Sequence, residues 1–295
     1  MSPFKSGFVA IVGAPNVGKS TLLNRLIGQK IAITSRKPQT TRHRLLGITH
    51  LPGAQLIFLD TPGIHRAKGP LNVRIVEVAF KVLREVDLVV FMTDAAVADA
   101  RADQIIIKAL RKKKQPVILV INKVDLVKKK TLLPLMAEWR SAYPFKAMVP
   151  VSALEGIQMD ELVTEMVAAL PEGPRYYPED SLTDMPERFI AAEMIREKVF
   201  RLTGEEIPYA VAVTVESFKE RPGKDLIDIQ ATIHVERESQ KPIIIGGGGK
   251  KLKRIGEEAR EAIEEMVGRQ VFLKLWVRVQ KNWTRDARAI RRLGY

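Results

Sequence analysis

The chain has no cysteine among its 295 residues. That excludes a disulfide framework, a thiolate metal site and a cysteine nucleophile, and it suits a reducing compartment. Long apolar runs are missing as well: no uncharged stretch approaches the roughly 18 residues that span a bilayer. The opening Met1-Ser2-Pro3-Phe4-Lys5 carries no apolar core of a signal peptide. A soluble, cytoplasmic protein without a transmembrane segment is expected. What the chain has in excess is positive charge. Its 48 Lys and Arg against 34 Asp and Glu leave +14, which points to an anionic partner, nucleic acid before anionic lipid.

Length allows two domains, each large enough to bury a core. Charge does not separate them simply. Residues 1–172 hold 25 Lys and Arg against 14 Asp and Glu, whereas residues 173–295 hold 23 against 20. Local clustering, not the sum, must locate a polyanion surface. The runs Arg111-Lys112-Lys113-Lys114 and Lys128-Lys129-Lys130 read as a helix end favoured by the helix dipole and as an exposed loop.

The first half alternates β-branched runs with helical patterns, which predicts βα units around a mostly parallel sheet. Expected strands are Phe8–Val12, Leu45–Thr49, Gln55–Leu59, Leu88–Thr93, Val117–Ile121 and Met148–Val151, with helices beginning near Lys19, Leu71, Ala102, Leu132 and Met159. Between Pro171 and Pro186 four prolines break every period. Proline removes a donor and disfavours helix before it, so residues 173–186 are expected to link a first domain, 1–172, to a second, 187–295.

The stretch Gly13-Ala14-Pro15-Asn16-Val17-Gly18-Lys19-Ser20-Thr21 lies between an expected strand and an expected helix, the context in which G-x-x-x-x-G-K-[ST] means a phosphate loop. Glycines let backbone N–H groups turn inward around an anion at a helix N-terminus. Lys19 can reach the β- and γ-phosphates, and Ser20 can join a Mg²⁺ shell. Asp60-Thr61-Pro62-Gly63 closes the strand Gln55–Leu59. Asp60 would hold Mg²⁺ through water, and the Gly63 N–H could sense the γ-phosphate. The next residue is Ile64, where a glutamine would orient an attacking water; an alkyl chain can do no such work. Slow hydrolysis is therefore expected, and His65 reads as a surface residue.

Asn122-Lys123-Val124-Asp125 follows the strand Val117–Ile121, at the carboxyl edge where open α/β sheets bind ligands. A carboxylate at Asp125 can accept from N1–H and the exocyclic amine of guanine; adenine offers neither donor and would leave it unpaired. Such sites reject the wrong base by roughly 10⁴–10⁵. Ser152-Ala153-Leu154 follows the next strand, where a backbone N–H can reach the guanine oxygen.

This set resembles the translation-factor-related GTPases. The segment Thr34-Ser35-Arg36-Lys37-Pro38-Gln39-Thr40-Thr41-Arg42-His43-Arg44 resembles the first switch of the Era family of bacterial GTPases. That resemblance makes Thr41, rather than Thr40, the residue that contacts Mg²⁺. It also likens Asn16 to an asparagine that helps hold K⁺ in potassium-stimulated relatives; shaping the loop is its competing role. GTP or GDP with Mg²⁺, and K⁺ as an option, are the cofactors implied, with Lys19, Thr41, Gly63 and Asn16 nearest the chemistry.

In the second half, Ile244-Ile245-Gly246-Gly247-Gly248-Gly249-Lys250-Lys251-Leu252-Lys253-Arg254-Ile255-Gly256 matches the hydrophobic-G-x-x-G signature of KH domains. Glycines allow backbone to lie against sugar-phosphate, and the next helix opens with cations. Ile245, Gly246, Gly247, Gly248, Gly249, Lys250, Lys251, Lys253 and Arg254 are the RNA-binding candidates. Ile229, Ile233, Ile245, Leu252 and Ile255 are expected to line a groove for splayed bases. Trp276, Trp283 and Phe272 are read as core or interface packing residues rather than base-stacking platforms. The order helix-strand-strand-helix-strand resembles a type II KH arrangement. The ending Trp283 to Tyr295 also looks like that of the Era family. Across the chain the resemblance implies a monomeric GTPase in small-subunit (30S) assembly. It would bind 16S rRNA near its 3′ end and associate peripherally with the cell membrane. A GTPase of tRNA modification and a passive RNA-binding module remain alternatives.

Overall fold

The fold is described from a computed structural model, in which residues 3–35, 41–64, 70–204, 207 and 210–295 are described. Of the expected switch, residues 36–40, Thr40 among them, lie outside the described residues, as does His65. The chain divides into two compact units.

The first unit is a six-stranded sheet in the order β2-β3-β1-β4-β5-β6. Its strands are β1 (Lys5–Gly13), β2 (Leu45–Leu51), β3 (Ala54–Asp60), β4 (Leu88–Asp94), β5 (Val117–Asn122) and β6 (Ala147–Pro150). Only β2 runs antiparallel to its neighbour, along β3; the remaining pairs are parallel. Helices α1 (Lys19–Ile27), α2 (Pro70–Val82), α3 (Ala100–Leu110), α4 (Leu132–Ala142) and α5 (Met159–Ala169) connect them. Strands β3, β4 and β5 are buried along their whole length. This is why they read as continuous apolar runs rather than alternating ones. The connection after β1 goes to one side of it, and β4 lies on its other side. The carboxyl end of β1 is therefore a point where strand order reverses, the place such sheets keep for ligands.

The proline-rich stretch is stitched to this sheet. Gln55 donates to the Tyr177 carbonyl at 2.8 Å and accepts from the Tyr176 and Tyr177 amides at 2.8 and 3.1 Å. Further on, Ile48 N donates to Leu182 O at 2.8 Å, and the Thr183 hydroxyl donates to Leu46 O at 2.5 Å. Proline cannot donate, so neighbouring residues and one buried amide side chain provide the bonds.

The second unit has a three-stranded sheet, β7 (Ala212–Glu220), β8 (Leu226–Val235) and β9 (Gln270–Val279), with β7/β8 antiparallel and β8/β9 parallel. Helices α6 (Glu187–Leu202), α7 (Gln240–Ile245), α8 (Lys250–Val267) and α9 (Ala287–Arg292) complete the order. The core lies between α6, α8 and the sheet face carrying Ile227, Ile229, Ala231, Ile233, Val271 and Val277. Ile229, Ile233 and Ile255 are fully buried there, so they belong to the core instead of lining a groove. Ile245 and Leu252 are partly buried at the core's edge. Period-two alternation explains the correction: odd positions of β8 face the helices. Trp283 is core, donating its indole N–H to Ala210 O at 3.0 Å. Phe272 and Trp276 are not; both are exposed.

Candidate nucleotide and nucleic-acid sites

The loop from Gly13 to Gly18 is held by hydrogen bonds from the residues around it. Gly13 O accepts from the Ile64 amide at 3.0 Å. Gly18 has φ 101°, and a Cβ there would sit 2.3 Å from the Asn122 side-chain nitrogen, so no other residue fits. Asn16 also takes a left-handed conformation, φ 64°, which asparagine tolerates. The Lys19 ammonium donates to the carbonyls of Gly13 at 3.2 Å and Ala14 at 2.8 Å. Burial lowers its pKa to about 8, partly opposed by Asp60.

Ser20, Thr41 and Asp60 meet beneath the loop. The Ser20 hydroxyl donates to Asp60 Oδ2 at 2.8 Å and lies 2.8 Å from the Thr41 hydroxyl. Burial raises the Asp60 pKa to about 6, against the pull of Lys19 and the hydrogen bonds from Ser20, Thr61 and Thr41. Asp60 is fully buried, yet its Oδ1 has no hydrogen-bond partner. An orphan carboxylate oxygen beside two hydroxyls is a set of hard oxygen donors that suits Mg²⁺. Thr61 donates to Ile11 O at 2.8 Å. A Cβ on Gly63 would press on the Pro15 backbone at 2.8 Å, so this turn lies directly on the loop. Ile64 is fully buried in the core with its side chain turned from solvent.

At the other end of the site Asn122 joins three segments. Its side chain donates to Val17 O at 2.7 Å and accepts from the Ala153 amide at 2.9 Å. Ser152 and Ala153 are buried, whereas Leu154 is exposed. Asp125 is exposed on a short 3₁₀ turn after Lys123. Two residues of this framework escaped the reading of motifs. Asp94, ending β4, pairs with the Lys123 ammonium at 2.6 Å, while its other oxygen accepts from the Ala96 and Val97 amides. Arg25 of α1 donates to Ala153 O at 3.1 Å and to Leu154 O. Neither belongs to a short motif; each is a long-range partner of one.

In the second unit α7 ends at Gly246, φ 72°, and Gly247–Gly249 make one 3₁₀ turn into α8. A Cβ at Gly247, Gly248 or Gly249 would meet nothing within 4 Å. Lys250, Lys253 and Arg254 are exposed, and Lys251 is half-buried. Lys253 and Arg254 reach Glu257 and Glu258 one turn on, at 3.8 and 2.9 Å. Exposed pairs of this kind are weak and yield readily to another anion.

Fold and site together define a P-loop GTPase carrying a KH domain. Residues 8–123 match a family described as 50S ribosome-binding GTPase, and residues 206–284 match the KH domain family. The GTPase Era of Geobacter metallireducens is 56% identical over 294 residues, covering 100% of this chain and 99% of that protein. Two solved structures, each covered to 99% in both chains, are 45% identical. One is a variant of Aquifex aeolicus Era bound to GDP·AlF₄⁻, with a TM-score of 0.95. The other is Era in complex with MgGDPNP and nucleotides 1506–1542 of 16S ribosomal RNA, with a TM-score of 0.96. The chain belongs to the Era family of GTPases. Among the described residues no helix is long and apolar enough to cross a membrane.

Proposed function

We propose that this GTPase binds 16S rRNA near its 3′ end and assists assembly of the small ribosomal subunit, with GTP and GDP as its nucleotides and Mg²⁺ as its metal. Asn122 carries the nucleotide part of this reading: it ties the phosphate loop to the segment that meets the base, so both ends of one guanine nucleotide are held by a single hydrogen-bonded frame. The RNA part rests on the relative solved with 16S rRNA, which is alike over 99% of the chain. The family named for the 50S subunit covers the nucleotide half alone, so the full-length likeness is given more weight.

The residue roles follow from the chemistry. The loop amides from Gly13 to Thr21 and Lys19 take the phosphates. Ser20, Thr41 and Asp60 take Mg²⁺, which when bound neutralises charge on the β- and γ-oxygens. Asp125 reads guanine, Asn122 and Lys123 hold the base edge, and Ser152, Ala153 and Leu154 offer a backbone donor to its oxygen. The Gly63 amide senses the γ-phosphate, next to Thr61, Pro62 and Ile64. A buried Ile64 leaves the attacking water without a side-chain guide, so turnover is slow, on the order of 10⁻³ s⁻¹ or less. Asn16 offers an oxygen for K⁺ at the loop.

The nucleotide domain is residues 1–172, the linker 173–186 and the KH domain 187–295. In the KH domain the loop Ile245 to Gly249, with Lys250, Lys251, Lys253 and Arg254, takes a single RNA strand. The γ-phosphate orders the switch and so sets RNA affinity. The chain acts as a monomer in the cytoplasm, with peripheral association at the cytoplasmic face of the cell membrane. GTP turnover measured with and without the RNA, in K⁺ and then in Na⁺, tests the reading. RNA- or K⁺-stimulated hydrolysis supports it, and adenine nucleotides bound as well as guanine ones refute it.

A further inference from the structure

One strand of the KH unit carries a pattern that neither the nucleotide site nor the glycine loop uses. Along β9 the residues facing away from the helices are Gln270, Phe272, Lys274, Trp276 and Arg278, all exposed, while Val271 and Val277 turn inward to the core. Phe272 is 45% exposed and Trp276 is 40% exposed. Two large aromatic side chains left in water on one open sheet face need a reason, since burying each would contribute stability. They stand four residues apart, about 13 Å along the strand, with a cation between them and another beyond.

Cations lie close to the strand that carries both rings, with Asp228 and Glu216 among them. The Arg221 guanidinium and the Lys274 ammonium both lie 5.5 Å from the centre of the Phe272 ring. Arg221 also forks onto Asp228 at 2.6 and 2.9 Å, which consumes the acid opposite Phe272 in the register. At the far end of the face His234 lies opposite Arg278; burial lowers the His234 pKa, with Glu216 of β7 opposing and Arg278 and Arg292 of α9 assisting. From Gln280 to Tyr295 five Lys or Arg residues accompany one acid, Asp286. Stacking of Trp283 on Tyr295, centroids 5.6 Å apart, holds that segment in place.

We infer that the outer face of β9 is a second single-stranded RNA surface, on the opposite side of the sheet from α8 and the glycine loop that opens it. The inference goes beyond the proposed function, which needs the glycine loop alone. Phe272 and Trp276 are stacking platforms for two bases, and Lys274, Arg278 and Arg221 take the phosphates between and beside them. Aromatic faces interleaved with cations suit nucleic acid because every base has a π-face and every linkage a charge. A protein partner would not need cations at each alternate position.

The test uses the full chain and a fluorescein-labelled 12-nucleotide oligouridylate, followed by anisotropy. F272A/W276A is expected to weaken binding by at least about tenfold. In a G247D/G248D background, which disables the loop, it is expected to remove the binding that remains. K274E, at an exposed position, lowers affinity and reduces the salt slope by about 0.7; it serves if the double aromatic variant melts early. Ultraviolet crosslinks to the oligonucleotide are expected on the β9 peptide. Unchanged oligouridylate affinity in folded F272A/W276A, with either loop, overturns the inference. So does loss of small-subunit cosedimentation with oligouridylate affinity intact, which makes the face a protein-docking surface. If G247D/G248D alone abolishes all binding, the loop reading stands and this one falls. If G247D/G248D changes nothing while F272A/W276A abolishes binding, the reverse holds.

Discussion

Two glycine-rich loops in this chain precede a helix, and both are read as phosphate contacts, yet they are built in opposite ways. In the first, the glycines are demanded from inside: a Cβ on Gly13 would strike the Met92 carbonyl, and one on Gly18 would strike Asn122. In the second, Gly246 at the loop's start is crowded by Lys251, but Gly247, Gly248 and Gly249 face open space. The first loop is packed against the buried Asn122, with a buried lysine at its end and a buried carboxylate beneath it. The second is exposed and flanked by cations whose pairs are weak. A buried, pre-assembled loop suits a small ligand held by directed hydrogen bonds. An exposed loop suits a polymer whose binding comes from counterion release.

The largest effect should come from the nucleotide side of this comparison. Asp125→Asn is expected to remove most of the guanine preference, a discrimination of roughly 10⁴–10⁵, read as the ratio of GDP to ADP dissociation constants. Retained selectivity would mean the base is held elsewhere. On the open side, G247D/G248D is expected to weaken binding of the 16S 3′-end RNA by about 100-fold or more, through two carboxylates set against phosphates. RNA affinity should also fall with salt, at a slope of about −0.7 per phosphate contacted. GDP affinity should change much less with salt, because buried charges are poorly screened. Equal slopes would erase the distinction.

Alanine at one glycine of each loop sharpens it further. Gly18→Ala must accept a left-handed backbone and displace Asn122, so about 1–3 kcal/mol of stability should be lost. Gly247→Ala has space and an ordinary backbone, and its melting temperature should not move.

Much of this could be read from residues in a row, because phosphate loops and KH loops are local. The β3 turn Asp60-Thr61-Pro62-Gly63, and Asn122-Lys123-Val124-Asp125 after β5, could be placed because an apolar run before each marks the end of a parallel strand. Asp94 and Arg25 could not, since their meaning lies in partners 29 and 128 residues away. The proline-rich stretch was legible as irregular. Its stitching to Gln55 and Leu46 was not, because backbone bonds to a sheet leave no side-chain period. That Phe272 and Trp276 lie outside the core could have been read for a simpler reason. They are apolar, but they share the outward parity of Lys274 and Arg278, and the alternation was the better guide than the hydrophobicity.

The smallest expected change other than the silent Gly247→Ala concerns a buried acid in the nucleotide unit. Burial, and then the charge of Asp99, raise the Asp103 pKa to about 7. Its folded value lies above its unfolded one, so its contribution is full below about pH 4 and is lost as pH rises through 7. At pH 8 the ionised form costs stability. Asp103→Asn should therefore stabilise the chain there by about 1 kcal/mol, discounted for screening, and should flatten the dependence of melting temperature on pH between 5 and 8.

The most direct test of the account is the affinity of the full chain for the 16S 3′-end RNA, measured once with GDP and once with GDPNP, both with Mg²⁺. A switch that reports the γ-phosphate predicts RNA binding at least about fivefold tighter with GDPNP. Equal affinities would contradict the claim that the packed loop governs the open one.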